Sequence, residues 1–261
     1  MTDRVDLAAQ LLRPDAPVPP TLRALAARLA PEARLVPVWR NGLGGLVVRL
    51  DPHRARASLF LKWSPPGREV ALADERARLD WAGRYHAVPR VLDAGETADG
   101  AGGVAEWMLT AGLPGDSAVS DRWRAEPRTA VRAIGTGLRR LHEALPAAEC
   151  PFAGPRLDGE PAVEHPVVAH GDACAPNTLI DAEGAFLAHV DLGALGVADR
   201  WSDLAIASMS LGWNFGPGWE DEFFDAYGIE RDERLIARWR ERWNADSEPA
   251  GGGGSTVGGS L

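Results

Sequence analysis

The stretch "HGDACAPNTLI" (170–180), closed by "FLAHVDLGALGVADRW" (186–201), decides how this chain is read. "TLI" and "FLAHV" are apolar runs separated by "DAEGA", a turn composition, so they read as a β-hairpin. Asn177 stands just before the first strand and Asp191 ends the second. Closing the hairpin therefore sets Asn177 and Asp191 side by side. They are two oxygen ligands of the kind Mg²⁺ takes while keeping waters and substrate phosphates. Asp172, five residues before Asn177, lies in the loop entering the hairpin and is placed to accept a proton or orient a hydroxyl. Side chains of these types also cap turns, so the rest of the chain has to separate the two readings.

Upstream the pattern is strand-rich. "RLVPVWRNGLGGLVVRLDP" (34–52) reads as two extended runs around Gly42, Gly44 and Gly45, and "ASLFLKWSPP" (57–66) as a third run stopped by two prolines. The three make an antiparallel meander. "REVALADERARLDWAGRY" (68–85) follows with helical spacing, placing Leu72, Leu79, Ala82 and Glu75 on one face, with Glu69 further round. An inward carboxylate needs a partner, and Lys62, inside the apolar "LFLKW", is the natural one. Taken singly, both residues also read as solvated surface charges. "VPRVLDAG" (88–95) and "VAEWMLTAGLPG" (104–115) add two strands, the second running into a Gly/Pro turn.

Beyond them the period changes. "TLRALAARLA" (21–30) near the start is helical, but the main helices come late. "PRTAVRAIGTGLRRLHEAL" (127–145) repeats Val131, Ile134, Leu138, Leu141 and Leu145 as an amphipathic stripe. "DRWSDLAIASMSL" (199–211), with Ser202 or Asp203 as its cap, "GWEDEFFDAYGI" (218–229) and "DERLIARWRERW" (232–243) follow. Strands first and helices after define an α+β fold in two lobes. The expected division is a nucleotide-binding lobe over 1–110, a hinge at 111–115, a catalytic and acceptor lobe over 116–246, and a disordered Gly/Ser-rich tail over 247–261.

Composition narrows the function classes. With 28 basic and 37 acidic residues the formal charge is −9, which disfavours a phosphate-tracking nucleic-acid binder. Two cysteines, Cys150 and Cys174, make neither a disulfide framework nor a thiolate metal site, and they suit a reducing, cytoplasmic setting. The first twenty residues are broken by Asp3, Arg4, Asp6 and Arg13, and no stretch is long enough to span a bilayer. No membrane or nucleic-acid partner is expected.

A glycine-rich turn, a strand lysine with a helix glutamate, an Asp…Asn loop and an Asp before glycine occur in the order of the protein-kinase pattern. At these residues the chain resembles the aminoglycoside 3′-phosphotransferases (kanamycin kinases), whose fold is similar to that of protein kinases. "VVAHGDACAPNTLID…HVDLGALGVADRWSDLAIA", "LGGLVVRL", "LFLKW", "LADERARLDW" and "LPGDSAVSDRW" carry the resemblance, over about residues 34–243. It implies an enzyme using ATP (or GTP) and Mg²⁺ to phosphorylate an aminoglycoside, and a monomer or weak dimer. It also implies Asp172 as catalytic aspartate, Asn177 and Asp191 as magnesium ligands, and Gly42, Gly44 and Gly45 as the nucleotide loop. Lys62 would sit on the phosphates with Glu75 holding it, and Thr110, Ala111 and Leu113 would line the adenine through backbone groups. Asp203 would tie the catalytic loop, and His170 would steady it.

Two features depart from that family. Only "AGPRLDGEPAVEHPVVA" joins Phe152 to His170, too short for the helical pair that helps form the family's antibiotic site. The end, "RWRERWNADSEP", is more basic than the family's acidic-aromatic terminus. The nucleotide half therefore reads as complete and the acceptor half as eroded. Asp199, Glu220, Asp221 and Glu222 are the remaining acids that can attract amines there, or else are solvated helix faces. Cys174 reads as a small buried filler, His189 as structural, and the C-terminal tryptophans as core and groove-wall residues.

Overall fold

The computed structural model describes residues 11–41, 44–53, 57–66, 71–154 and 163–247. Gly42, Glu69 and the expected tail from residue 248 onward lie outside them.

The first lobe is a five-stranded antiparallel sheet: β1 (Arg34–Arg40), β2 (Leu46–Asp51), β3 (Leu59–Ser64), β4 (Val91–Ala98) and β5 (Val104–Ala111). The strand order is β1-β2-β3-β5-β4, so the meander holds through β3 and β5 then slips between β3 and β4. Period-two alternation sorts the side chains into two separate cores. Leu61, Trp63, Ala105, Trp107 and Leu109 pack on the outer face against Leu22, Leu25 and Ala26 of helix α1 (Pro20–Leu29). Met108, on the opposite face, joins Leu72 and Leu79 of helix α2 (Leu72–Ala82) in the core that continues into the second lobe. Lys62 pairs in register with Met108, so the same alternation turns Lys62 toward α2 and the cleft.

The chain crosses to the second lobe between Ala111 and β6 (Asp116–Ser117). There β6 pairs with the hairpin β8 (Thr178–Ile180) and β9 (Phe186–His189), while β7 (Pro166–Ala169) pairs antiparallel with β10 (Gly196–Asp199). Helices α3 (Asp121–Ala125), α4 (Pro127–Ala144), α5 (Arg200–Phe215), α6 (Glu220–Tyr227) and α7 (Glu233–Ser247) complete the lobe. The α4 stripe is buried as its period dictates, with Val131, Ile134, Leu138 and Leu141 packed against Leu204 and Leu211 of α5 and Phe223 and Phe224 of α6.

The element types stand where the sequence places them, with two corrections. The strand expected over 88–95 begins only at Val91, whereas the one from Val104 ends at Ala111 and leads into the bend at 112–115 where the Gly/Pro turn was expected. The cap of α5 is Asp199, whose carboxylate accepts the Trp201 N–H at 3.0 Å. Starting the helix at Arg200 puts Asp203 in its first turn facing inward, and leaves Ser202 donating to the Asp199 carbonyl at 2.7 Å. The pairing of β7 with β10 was not legible beforehand. In the short segment from Phe152 to His170 the described residues hold β7 and a single bridge, Ala153 to Val197, and no helix.

Candidate functional site

The hairpin that opened the sequence reading closes as its pattern requires. Thr178 pairs with His189, and one step further the Val190 N–H donates to the Asn177 carbonyl at 3.0 Å, which brings Asn177 beside Asp191. The Asn177 amide Nδ2 donates to the Asp172 carbonyl at 3.0 Å and to its carboxylate at 3.2 Å. With its nitrogen spent on Asp172, the amide oxygen of Asn177 is left to act as a ligand.

Lys62 settles the question left by its isolated reading. Its ammonium lies 2.8 Å from Glu75 and 2.6 Å from Asp191. Glu75 is buried, whereas the Asp191 side chain is 47% exposed, so the bridge runs from the core of α2 out to the cleft. Burial alone would lower the ammonium pKa, but the two carboxylates outweigh it and hold the lysine charged. Burial likewise pushes Asp191 up, and the Lys62 charge and hydrogen bond more than reverse it, keeping that carboxylate ionised.

Asp172 behaves in the opposite way. Desolvation raises its pKa from the ordinary aspartate value, the nearby Asp191 charge adds to the rise, and hydrogen bonds from the Cys174 thiol and Asn177 only partly offset them. Two neighbouring carboxylates are thus pushed apart in proton affinity, one poised as a base and one fixed as an anion. Cys174 is buried, and its own thiol is pushed well up, first by burial and then by Asp172. It is a hydrogen-bond donor to the aspartate rather than a nucleophile.

The loop carrying Asp172 is held from beneath. Both oxygens of the buried Asp203 accept backbone N–H groups, from His170 at 2.6 Å and Gly171 at 2.9 Å. Gly171 is at φ +83°, and a Cβ there would meet the Ala194 carbonyl oxygen at 2.3 Å, so the turn admits only glycine. His170, fully buried, accepts the Asp172 N–H at Nδ1 and donates from Nε2 to the Val190 carbonyl, joining the loop to the segment that runs from β9 to Asp191. His142 and Tyr227 escaped the sequence reading. His142 Nε2 reaches Asp203 at 3.0 Å and its Nδ1 lies 2.8 Å from the Tyr227 hydroxyl, backing the loop anchor with a buried chain. A histidine set beside Leu138 and Leu141 in the α4 stripe was the available signal. His189 stacks on His86 with their nitrogens 3.0 Å apart, and burial lowers both, His86 to about 4, so the pair is neutral packing as its sequence context indicated.

On the nucleotide side, Gly44 at φ +94° closes the β1–β2 turn, in which the Gly45 N–H donates to the Asn41 side chain at 2.7 Å. Thr110 sits inside β5, paired with Phe60 on one side and Val91 on the other, and so is part of the sheet rather than of an open hinge. Ala111 N–H and Gly112 N–H are taken by the carbonyls of Arg90 and Ser58. The Leu113 N–H has no protein acceptor among the described residues.

The acids singled out for amines are already engaged. Glu222 binds Arg128 at 2.6 Å and Arg132 at 2.8 Å, Asp221 binds Arg231 at 2.9 Å, and Glu220 lies 3.5 Å from Arg240. Asp199 is buried on the N–H groups of Glu164, His165 and Trp201. The solvated-face reading fits Asp221, whereas Glu220 and Glu222 are part-buried against their arginines, and Asp199 is structural.

An antiparallel sheet with its lysine–glutamate pair, set over a helical lobe carrying the Asp…Asn loop, is the fold of the kinase-like phosphotransferases. The model of the phosphotransferase enzyme family matches residues 38–163 and 156–242. An aminoglycoside 3′-phosphotransferase of Streptomyces ribosidificus is 32% identical over 242 residues, covering 74% of this chain and 88% of that protein. The crystal structure of a type VIII aminoglycoside-3′-phosphotransferase superposes with a TM-score of 0.70 at 30% identity, over 86% of this chain and 97% of that one. An aminoglycoside phosphotransferase of Streptomyces rimosus, solved with ADP and streptomycin, superposes at 0.63 with 25% identity, over 92% and 98%. The chain belongs to the phosphotransferase enzyme family.

Proposed function

We propose that the protein transfers the γ-phosphate of a magnesium-bound nucleoside triphosphate, ATP or GTP, to a hydroxyl of an aminoglycoside antibiotic, the 3′ hydroxyl first among them, and so confers resistance. The observation that carries this reading is the placement of Lys62 between Glu75 and Asp191, with Asp172 and Asn177 hydrogen-bonded to each other within the loop that leads into the same hairpin.

The donor set suits magnesium. Asn177 and Asp191 offer one amide oxygen and one ionised carboxylate, and Mg²⁺ is commonly held by one or two protein oxygens plus phosphates and water. Bound there, it would neutralise phosphate charge.

The chain's own groups do the rest by positioning and electrostatics. Lys62, kept charged, is oriented by Glu75 toward the phosphates. The turn around Gly44, its Gly44 and Gly45 N–H groups held by Asn41, covers them, and the Leu113 N–H, without a protein acceptor among the described residues, is the hinge donor for the base. Asp172, with its raised proton affinity, orients the acceptor hydroxyl and takes its proton. Asp203, through His170 and Gly171, holds Asp172 at the required height.

A kinase of a less cationic small-molecule alcohol is the second reading. The arginine partners on Glu220, Asp221 and Glu222 favour it, because they neutralise charge that a polyamine would seek. A coupled ADP-release assay with kanamycin, neomycin, streptomycin and a drug-free control separates the two. Drug-dependent release supports the first reading, and a drug-free rate unchanged by all three removes it.

A further inference from the structure

Helix α2 reaches the Asp191–Leu195 segment at both of its ends. At the near end Glu75 holds Lys62, and Lys62 holds Asp191. At the far end Arg78, less than one turn along the same helix, donates from Nε to the Leu195 carbonyl at 2.9 Å. The Arg78 guanidinium is fixed in three directions. It also donates to the Asp74 carbonyl of its own helix at 3.1 Å, and it lies over the Phe152 ring at 5.0 Å from the centroid. Phe152 in turn is pinned by Trp81 of α2, edge-on at 6.1 Å, and by the Val197 N–H on its carbonyl at 2.9 Å.

The segment between the two tethers is one that needs holding. Asp191 is at φ +62°, a sparsely populated conformation for any residue but glycine, and such residues persist where their surroundings over-determine them. The Leu195 N–H closes a turn onto the Leu192 carbonyl at 3.1 Å, and Leu192 and Leu195 are both fully buried. The near tether is shared with catalysis, since Lys62 cannot serve phosphates and keep both carboxylates at full strength. The far tether carries no such duty.

We propose that Arg78 is a positioning residue that fixes the Asp191–Leu195 turn to helix α2, so that Asp191 keeps its aim while Lys62 is engaged elsewhere. This rests on the phosphotransfer reading above for its consequence, though not for the tether itself. Arg78 is planar, charged and stacked on a ring, a combination that lysine reproduces only in charge.

The test uses the full-length protein with Arg78→Met and Arg78→Lys. Hydrogen exchange of the 192–195 amides, read without nucleotide, should quicken by about tenfold or more in Arg78→Met, while the β1–β5 sheet exchanges as in wild type. Magnesium needed for half-maximal nucleotide binding, read by titration, should rise by about fivefold or more, with Arg78→Lys intermediate and the acceptor KM within about twofold. Unchanged exchange at 192–195 overturns the tether. Unchanged magnesium dependence with only a lowered Tm reduces Arg78 to a packing residue and overturns the positioning role. Wild type that binds no magnesium nucleotide contradicts the proposed function instead, and the exchange readout still decides the tether. Should Arg78→Met lose its folding transition, Arg78→Lys carries both readouts.

Discussion

The residues proposed for the nucleotide and those proposed for the acceptor use their charges in opposite ways. On the nucleotide side Lys62 pairs with Asp191 and Asn177 with Asp172, while Glu75 holds Lys62 and Asp203 holds the loop that carries Asp172. On the acceptor side Glu220, Asp221 and Glu222 are each matched to an arginine on another stretch of chain. A carboxylate in a cleft is thus not a recognition group until its partners are known. Charge counted along the sequence overstates what the acceptor half can offer a polycation.

Breaking the nucleotide half should have the largest effect. Asp191→Ala removes the ionised ligand and the outer anchor of Lys62 together, so nucleotide binding should lose its dependence on magnesium and turnover should fall to background. A titration in which magnesium still tightens nucleotide binding as in wild type would remove Asp191 from that role.

Next comes Asp172→Asn, which keeps the shape and loses the proton acceptor. Nucleotide binding should persist while kcat falls about 10²-fold or more, or roughly 2.7 kcal/mol of transition-state stabilisation. The pH profile sharpens this. Asp172 works ionised and its pKa is raised by burial, so wild-type kcat should fall as pH drops, at a pH higher than an ordinary aspartate would give. The asparagine variant should show no such limb. A wild-type profile flat down to pH of about 4 would contradict the assignment.

The smallest effects should come from the acceptor-side acids. Glu220→Gln, Asp221→Asn and Glu222→Gln each break an arginine pair on or near the surface, worth about 0–1 kcal/mol, and should leave the acceptor KM within about twofold. A tenfold rise in any of the three would show that the carboxylate reaches the substrate despite its arginine, and would close the gap between the two halves.

These expectations show how unevenly the sequence spoke. The hairpin around "DAEGA" and the α4 stripe were readable because period two and period 3.6 are local properties. Asn177 and Asp191 could be brought together because a single hairpin joins them. The Lys62–Glu75 pair spans only thirteen residues and one strand-to-helix step, and an inward glutamate advertised its need of a partner. What stayed hidden lies in long-range pairings without a local pattern. The β7–β10 ladder joins residues about thirty apart through a segment of mixed composition. The arginine partners of Glu222 come from α4, some ninety residues away, and nothing in "GWEDEFF" foretells them. Nothing in the sequence marks Arg78, because its acceptor is a backbone carbonyl, which has no sequence signature.

The central claim is that a complete nucleotide half is joined to an acceptor half with little free charge. Isothermal titration of ATP·Mg²⁺ and of kanamycin into the same protein, at low salt and at ~0.15 M, tests it most directly, since exposed charge contacts are screened over about 8 Å at the higher value. The account predicts nucleotide binding that changes little with salt, and kanamycin binding that is weak and loosens several-fold between the two conditions. Tight kanamycin binding that ignores salt would contradict it, and would show that residues 153–169 or the C-terminal helices build a full drug site.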